Sequence, residues 1–187
     1  TYNSLKSYAE ISYKADKFKA YLFANYDDTD GYDGIVETDA ASHSQFFASH
    51  APNELTEGGN HFNVQANLAY NNFYFTGFLQ KMDYEVPIGI ASALTDRNDY
   101  RILFSFGEIG YHLPITDKGN LLLKAYYDYL KFDPSYEIFS YETAEMDMHT
   151  GFPPGEGLFG NPQSTQSVAG GEITADDEIF PGVRMLG

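Results

Sequence analysis

Four aspartates, Asp27, Asp28, Asp30 and Asp33, crowd around Gly31 and Gly34 in the run Tyr26-Asp27-Asp28-Thr29-Asp30-Gly31-Tyr32-Asp33. Hard carboxylate oxygens on a glycine-bent loop are the ligands Ca²⁺ takes. Asp28, Asp30 and Asp33 are therefore candidate metal ligands, and a structural Ca²⁺ is the candidate cofactor. The spacing departs from an EF-hand, because Gly31 follows Asp30 directly and the closing Glu of that loop has no counterpart. The plainer reading is a solvated acidic loop exit in which Asp-Gly makes the turn. Histidines 43, 50, 61, 112 and 149 never fall at i, i+4 or i, i+2, so they do not form a zinc site. Asp176-Asp177-Glu178 are adjacent, and neighbouring strand residues point to opposite faces, so they do not share a proton. Neither a Gly-x-Ser-x-Gly elbow nor a glycine-rich phosphate loop is present. An enzyme has no support here, and the triad of a barrel hydrolase would have to come from outside these residues. Phe46 and Phe47 are the candidate ligand-binding residues: aromatics in a long loop can grip a small molecule, although packing within the loop is their commoner role.

The elements that would position these residues are strands. His61 to Tyr70 alternates Phe62, Val64, Ala66, Leu68 and Tyr70 with His61, Asn63, Gln65 and Asn67. That period of two gives a strand with one apolar and one amide-lined face. Asn71-Asn72 supplies a two-residue turn, and Phe73, Phe75, Gly77 and Leu79 continue the apolar face on the return. The pattern recurs, predicting strands over 5–14, 18–27, 61–70, 73–84, 100–115, 121–132 and 167–178, with an eighth opening at Arg184. Within 100–115 the phase shifts between Phe106 and Ile109, so a bulge is expected at Gly107 or Gly110. A short helix is expected around Thr38 to His50.

Connections near residues 15, 71, 118 and 181 are short, whereas 28–60, 85–99 and 133–166 are long, in strict alternation. All short turns then lie at one end of the sheet and all long loops at the other. Outer-membrane barrels sort their loops in this way. Tyrosines near strand ends (13, 26, 70, 84, 100, 111 and 129) fit aromatic girdles at the two interfaces. The expected fold is thus all-β, an antiparallel up-and-down transmembrane β-barrel of which this is a part, about seven to eight strands of a larger one. An open sheet edge is untenable in lipid, so the closing strands are expected beyond Gly187, and both ends read as cuts. A soluble β-sandwich or lipocalin-like binding module is the alternative.

Bulk properties agree with either. A net charge of -16 excludes a nucleic-acid partner, since phosphates would find nothing to neutralise them. With Cys 0 there is no disulfide framework. No apolar run is long enough for a membrane helix, and a mean hydropathy of -0.38 is blind to alternating membrane strands.

The hairpins, the Tyr26–Asp33 exit, Gly151-Phe152-Pro153-Pro154-Gly155-Glu156-Gly157-Leu158, Asn161-Pro162 and Gly170-Gly171-Glu172-Ile173 together resemble TonB-dependent outer-membrane receptors. The resemblance covers essentially the whole chain and the early part of such a receptor's barrel. It implies a 22-stranded barrel around an N-terminal plug in the outer membrane of a Gram-negative bacterium. It also implies import of a scarce nutrient, a ferric siderophore or cobalamin, with energy passed by TonB through the plug. The bilayer, the small chelate or vitamin and TonB are its implied partners. Plug and TonB box have no counterpart in this stretch, so a passive porin remains the other membrane reading.

Overall fold

Strict alternation and turn chemistry produce what they ask for: a single antiparallel meander. A computed structural model of the chain describes residues 3–43, 49–55, 57–89, 92–95, 97–139, 158–180 and 183–186. Six long strands follow one another, β1 (Ser4–Lys14), β2 (Phe18–Thr29), then β5 (Gly59–Tyr70), β6 (Phe73–Glu85), β7 (Asp99–Pro114) and β8 (Asn120–Phe139). β10 (Ser164–Phe180) and β11 (Val183–Leu186) extend the path, so the order is β1-β2-β5-β6-β7-β8-β10-β11. β3 (Ile35–Val36) and β4 (Asn53–Glu54) pair inside the first long connection, and β9 (Leu158–Gly160) pairs with the far end of β8. The sheet is not closed into a barrel within this chain.

Short turns are built by their residues. Asn71 takes a φ of 52°, the left-handed conformation a two-residue hairpin needs at its first central position. Its N–H donates to Lys17 O at 2.8 Å, and Asn72 O accepts from His112 N at 2.8 Å, so neighbouring turns are laced together.

Several expectations are corrected. β7 pairs with both neighbours in unbroken register from Asp99 to Tyr111 and on to Pro114, so neither Gly107 nor Gly110 hosts a bulge. Ile102, Phe104 and Phe106 simply face away from Ile109, Tyr111 and Leu113. No helix occurs among the described residues: Ala40 to His43 form a turn, and 44–48 lie outside them. β8 runs on to Phe139 and β10 starts at Ser164, so the two strands take the two ends, 133–139 and 164–166, of the expected 133–166 loop.

One register row crosses the sheet through Tyr13, Ala20, Leu68, Phe75, Ile109, Ala125 and Gly171. Beyond this row, toward the short turns, pairing continues for one residue on β1 and β2 (Lys14, Lys19). It continues for two on β5 and β6 (Tyr70, Phe73), five on β7 and β8 (Pro114, Asn120) and nine on β10 (Phe180). The turns recede by eight residues over six strand steps.

The two faces differ. One carries Phe18, Leu22, Val64, Leu68, Leu121 and Leu123, and the other carries Asn25, Gln65, Asn67, Lys124 and Asp128, as the alternation predicts. On the apolar face of β8, Leu121, Leu123, Ala125, Tyr127 and Tyr129 are followed by Lys131 and Asp133. The apolar face stays uncovered: Ile11, Leu22, Tyr70, Ile109, Tyr127 and Ile173 are all exposed. Among the described residues the buried apolar side chains are few: Ala41 and Leu94 in the long connections, and Pro134 in β8.

Candidate functional site at the loop end of the sheet

The loops are tied to one another by buried polar groups. Asp39, in the first connection, accepts from Leu94 N of the second at 2.6 Å, and Ala40 N donates to Ser92 O at 3.2 Å. The same carboxylate accepts from Ala41 N and Ser42 N at 2.9 and 2.8 Å. Partial burial opposes its charge, but the hydrogen bonds from the Leu94 backbone, Ser49 and Ser42 prevail and hold it below the ordinary carboxylate value. The second connection is tied in turn to β8. Glu137 is buried, accepts from the Thr95 hydroxyl, and donates its N–H to Asn98 Oδ1 at 2.6 Å. His50 Nε2 of the first connection stands 3.7 Å from the Glu137 carboxylate. Arg97 lies over the Phe159 ring at 5.5 Å, joining the second connection to β9.

Below this knot, on the face opposite the apolar one, Tyr84 of β6 pairs with Tyr100 of β7. With Tyr32, Glu57 and Glu85 they line a cleft of about 560 Å³. A second hollow of about 390 Å³ adjoins it through Thr29 and Tyr84 and reaches Lys6, Asp27 and His61. There His61 Nδ1 is 3.6 Å from Asp27, and its Nε2 is 2.8 Å from Gln80 Nε2. Tyr100 packs edge-on against Tyr136 at 5.4 Å; burial, reinforced by the Tyr100 hydroxyl, pushes the Tyr136 phenol up. The site offers aromatic surfaces with carboxylate and amide acceptors, which suits a ligand rich in hydroxyl or cationic groups.

Tyr84 and Tyr100 therefore line this cleft, while the other five expected girdle tyrosines lie on the apolar face. Asp28 sits in β2 opposite Leu5 and Asn60, and Asp30 N bonds to Asn3 O at 3.0 Å. Asp33 lies exposed in the following loop. Among the described residues no three His, Asp or Glu gather to hold a metal ion, so Asp28, Asp30 and Asp33 are not brought together. Phe46 and Phe47 lie outside the described residues. The Glu137 knot went unseen in the sequence because Glu137 read as loop. The one available signal was the return of alternation after Pro134, through Tyr136 and Ile138.

Nearer the short turns the same face carries an ordered polar ladder. Tyr74 donates to Glu108 at 2.7 Å, and Lys124 pairs with Glu172 at 2.8 Å. Gly110 opposite Tyr74, and Gly170 opposite Tyr126, lie beneath the tyrosine rings, where a Cβ would collide with them.

Comparison with known proteins returns nothing: no family model, no curated protein and no solved structure matches the chain.

Proposed function

We propose that this chain is part of the wall of an outer-membrane β-barrel that takes up a small ligand at its loop end. The observation that carries the reading is the uncovered apolar face, bounded by charge on its loop side. On β8 the uncharged span from Leu121 to Tyr129 measures about 27 Å along the strand at a rise of about 3.3 Å per residue. The stagger of the turns supplies its inclination. If the turns lie in one plane, eight residues over six steps, with strands about 4.8 Å apart, incline the strands by about 40°. Transmembrane barrels tilt by about 35–45°. The band then stands about 20 Å tall, close to the roughly 25 Å such barrels present to lipid. A soluble sandwich needs a second sheet over the apolar face, and the described residues contain only the small β3–β4 pair beside the main sheet.

Within the membrane reading, the lumen side favours a filled barrel over a passive porin. Phe78, Phe104, Phe106, Leu130 and Val168 cluster there, with Phe78 and Phe104 rings 5.8 Å apart and Phe104, Leu130 and Val168 exposed. A water-filled channel wall is polar. An apolar lumen patch calls for a covering element, as the plug of a TonB-dependent receptor would be. The proposed function is accordingly uptake of a scarce nutrient such as a ferric siderophore or cobalamin, energised through TonB. The acidic cleft disfavours an anionic chelate held by these residues alone. The test is uptake by cells carrying the intact protein, with and without TonB, alongside conductance of the purified protein in planar bilayers. TonB-dependent uptake with a closed channel supports the reading, and a steady open conductance with TonB-independent uptake refutes it in favour of the porin.

A further inference from the structure

The cleft of about 560 Å³ at the loop end opens where β5 stops, between Thr29, Gly31 and Tyr32 on one side and Tyr84, Glu85 and Val86 on the other. Part of its wall is main chain. A Cβ on Gly31 would collide with the Glu57 carbonyl, and one on Gly58 would stand 3.2 Å from Thr29 O and 3.5 Å from the Glu85 carboxylate. The Tyr84 ring lies against Gly59 and the Tyr32 ring against Gly34, and the two side chains stay 37% and 46% exposed. Tyr100 completes the aromatic lining. Its ring is stacked with Phe132 at 6.0 Å and meets Tyr136 edge-on, so its position is fixed by packing.

The charge of this lining is one-sided. Glu57 and Glu85 supply two carboxylates, and among the described residues that line the cleft there is no Lys, Arg or His. Among the described residues neither carboxylate forms an ion pair or a side-chain hydrogen bond. Other carboxylates of the sheet are neutralised locally, as in Lys81–Asp83 at 2.7 Å and Lys124–Glu172 at 2.8 Å. The adjoining hollow brings Asp27 and Asp28 beside Lys6 and His61, so it offers Glu57 and Glu85 no surplus of positive charge. The amides Asn25, Asn63 and Gln80, which could both donate to and accept from sugar hydroxyls, form a register row four residues further down the strands. Carboxylates only accept, and a neutral polyol would leave their charge uncompensated as it displaced water.

We propose that this cleft binds an organic cation, the ammonium group of an amine-bearing solute, ringed by Tyr32, Tyr84 and Tyr100 and neutralised by Glu57 and Glu85. The proposal rests on the uptake reading above and names the chemical class that its loop-end site takes. Both features of the lining select the same occupant. The faces of phenol rings attract a cation through their quadrupole, and the attraction grows as water is excluded. The carboxylates supply the countercharge that the chain itself withholds. A volume of about 560 Å³ is that of a small-molecule site, so the ammonium group is one end of a larger solute.

The test uses the intact protein in a non-ionic detergent. The probes are choline and 3,3-dimethylbutan-1-ol, which has nearly the same shape and no charge, and saturation-transfer NMR of their methyl groups is the readout. Choline should bind about tenfold more tightly than the alcohol, and the difference should shrink as salt is raised. Glu57→Gln/Glu85→Gln should weaken choline about tenfold while leaving the alcohol bound as before, which also shows that the cleft is intact. Tyr84→Leu should weaken choline more than Tyr84→Phe, which keeps the ring. Equal affinity for the two probes, or choline binding undiminished in the double Gln variant, overturns the cation site and leaves the uptake reading standing. Carboxylate-dependent choline binding in a protein with TonB-independent uptake and a steady open conductance keeps the cation site and overturns the receptor.

Discussion

The sharpest perturbation of the bilayer orientation is a charge at Leu68. Leu68 lies on the apolar face of β5, two residues before pairing ends at Tyr70. Its row partner Phe75 precedes Lys81, the first charged residue on that face of β6, by six positions. At about 3.3 Å per residue and an inclination of about 40°, Leu68 sits about 15 Å below that charged level and about 9 Å above the Asn71–Asn72 turn. It therefore falls in the middle third of the band, where Arg costs about 2–4 kcal/mol. Leu103, in the row of Lys81 and Lys131, lies at the boundary, where the same substitution costs about 0–1 kcal/mol. The intact protein is folded into phosphatidylcholine vesicles and unfolded reversibly in guanidinium, with far-UV circular dichroism as the readout. Leu68→Arg should lower the unfolding free energy by at least about 2 kcal/mol more than Leu103→Arg. Equal costs at both positions, or a wild type that folds as a water-soluble monomer without vesicles, would refute the depth assignment.

Gly110→Ala places a Cβ against the Tyr74 ring and drives the phenol off Glu108, at a cost of about 1–3 kcal/mol. In a Tyr74→Ala background the same change should be nearly neutral, a coupling that a double-mutant cycle measures. Asp39 is held below its ordinary carboxylate value, so the tie it makes to Leu94 is fully present above an unfolded value of about 3.9. The tie is lost as pH falls through the lower folded value. Asp39→Asn should abolish that dependence and weaken the tie at neutral pH by about 1–3 kcal/mol, read as faster amide exchange at Leu94. Tyr84→Ala/Tyr100→Ala should weaken capture of the physiological ligand by about tenfold or more with barrel assembly intact, and unchanged capture would move the site elsewhere.

Alternation made the hairpins and both faces legible in the sequence, because successive residues of a strand point to opposite faces of the sheet. The same logic misled at β7. A bulge at Gly107 or Gly110 is expected there because Ile102, Phe104 and Phe106 share one parity and Ile109, Tyr111 and Leu113 the other. In the structure Ile102, Phe104 and Phe106 join Phe78, Leu130 and Phe132 across the register, a cluster that exists only once strands distant in sequence are paired. Pro134 read as the end of β8 for a similar reason. It falls in the gap between β10, whose last partner on β8 is Phe132, and β9, whose first is Tyr136, so on that edge no ladder bond is asked of it. The loop ties were illegible because each joins residues far apart: Asp39 to Leu94, and Thr95 and Asn98 to Glu137.

The unequal strand lengths have a topographic consequence. Under the proposed bilayer placement, β2, with 12 residues, climbs about 30 Å along the membrane normal at an inclination of about 40°, whereas β8, with 20, climbs about 50 Å. A hydrocarbon layer of about 25 Å would nearly submerge the first and leave the second standing well clear of the lipid. The mouth is then a sloping parapet, low over β1 and β2 and high over β7 and β8. A solute diffusing along the membrane surface meets an open sill on the low side, while an antibody or protease descending from solution meets the upper part of β8 first. Surface labelling of intact cells should accordingly reach Ser135 and leave Ala20 untouched.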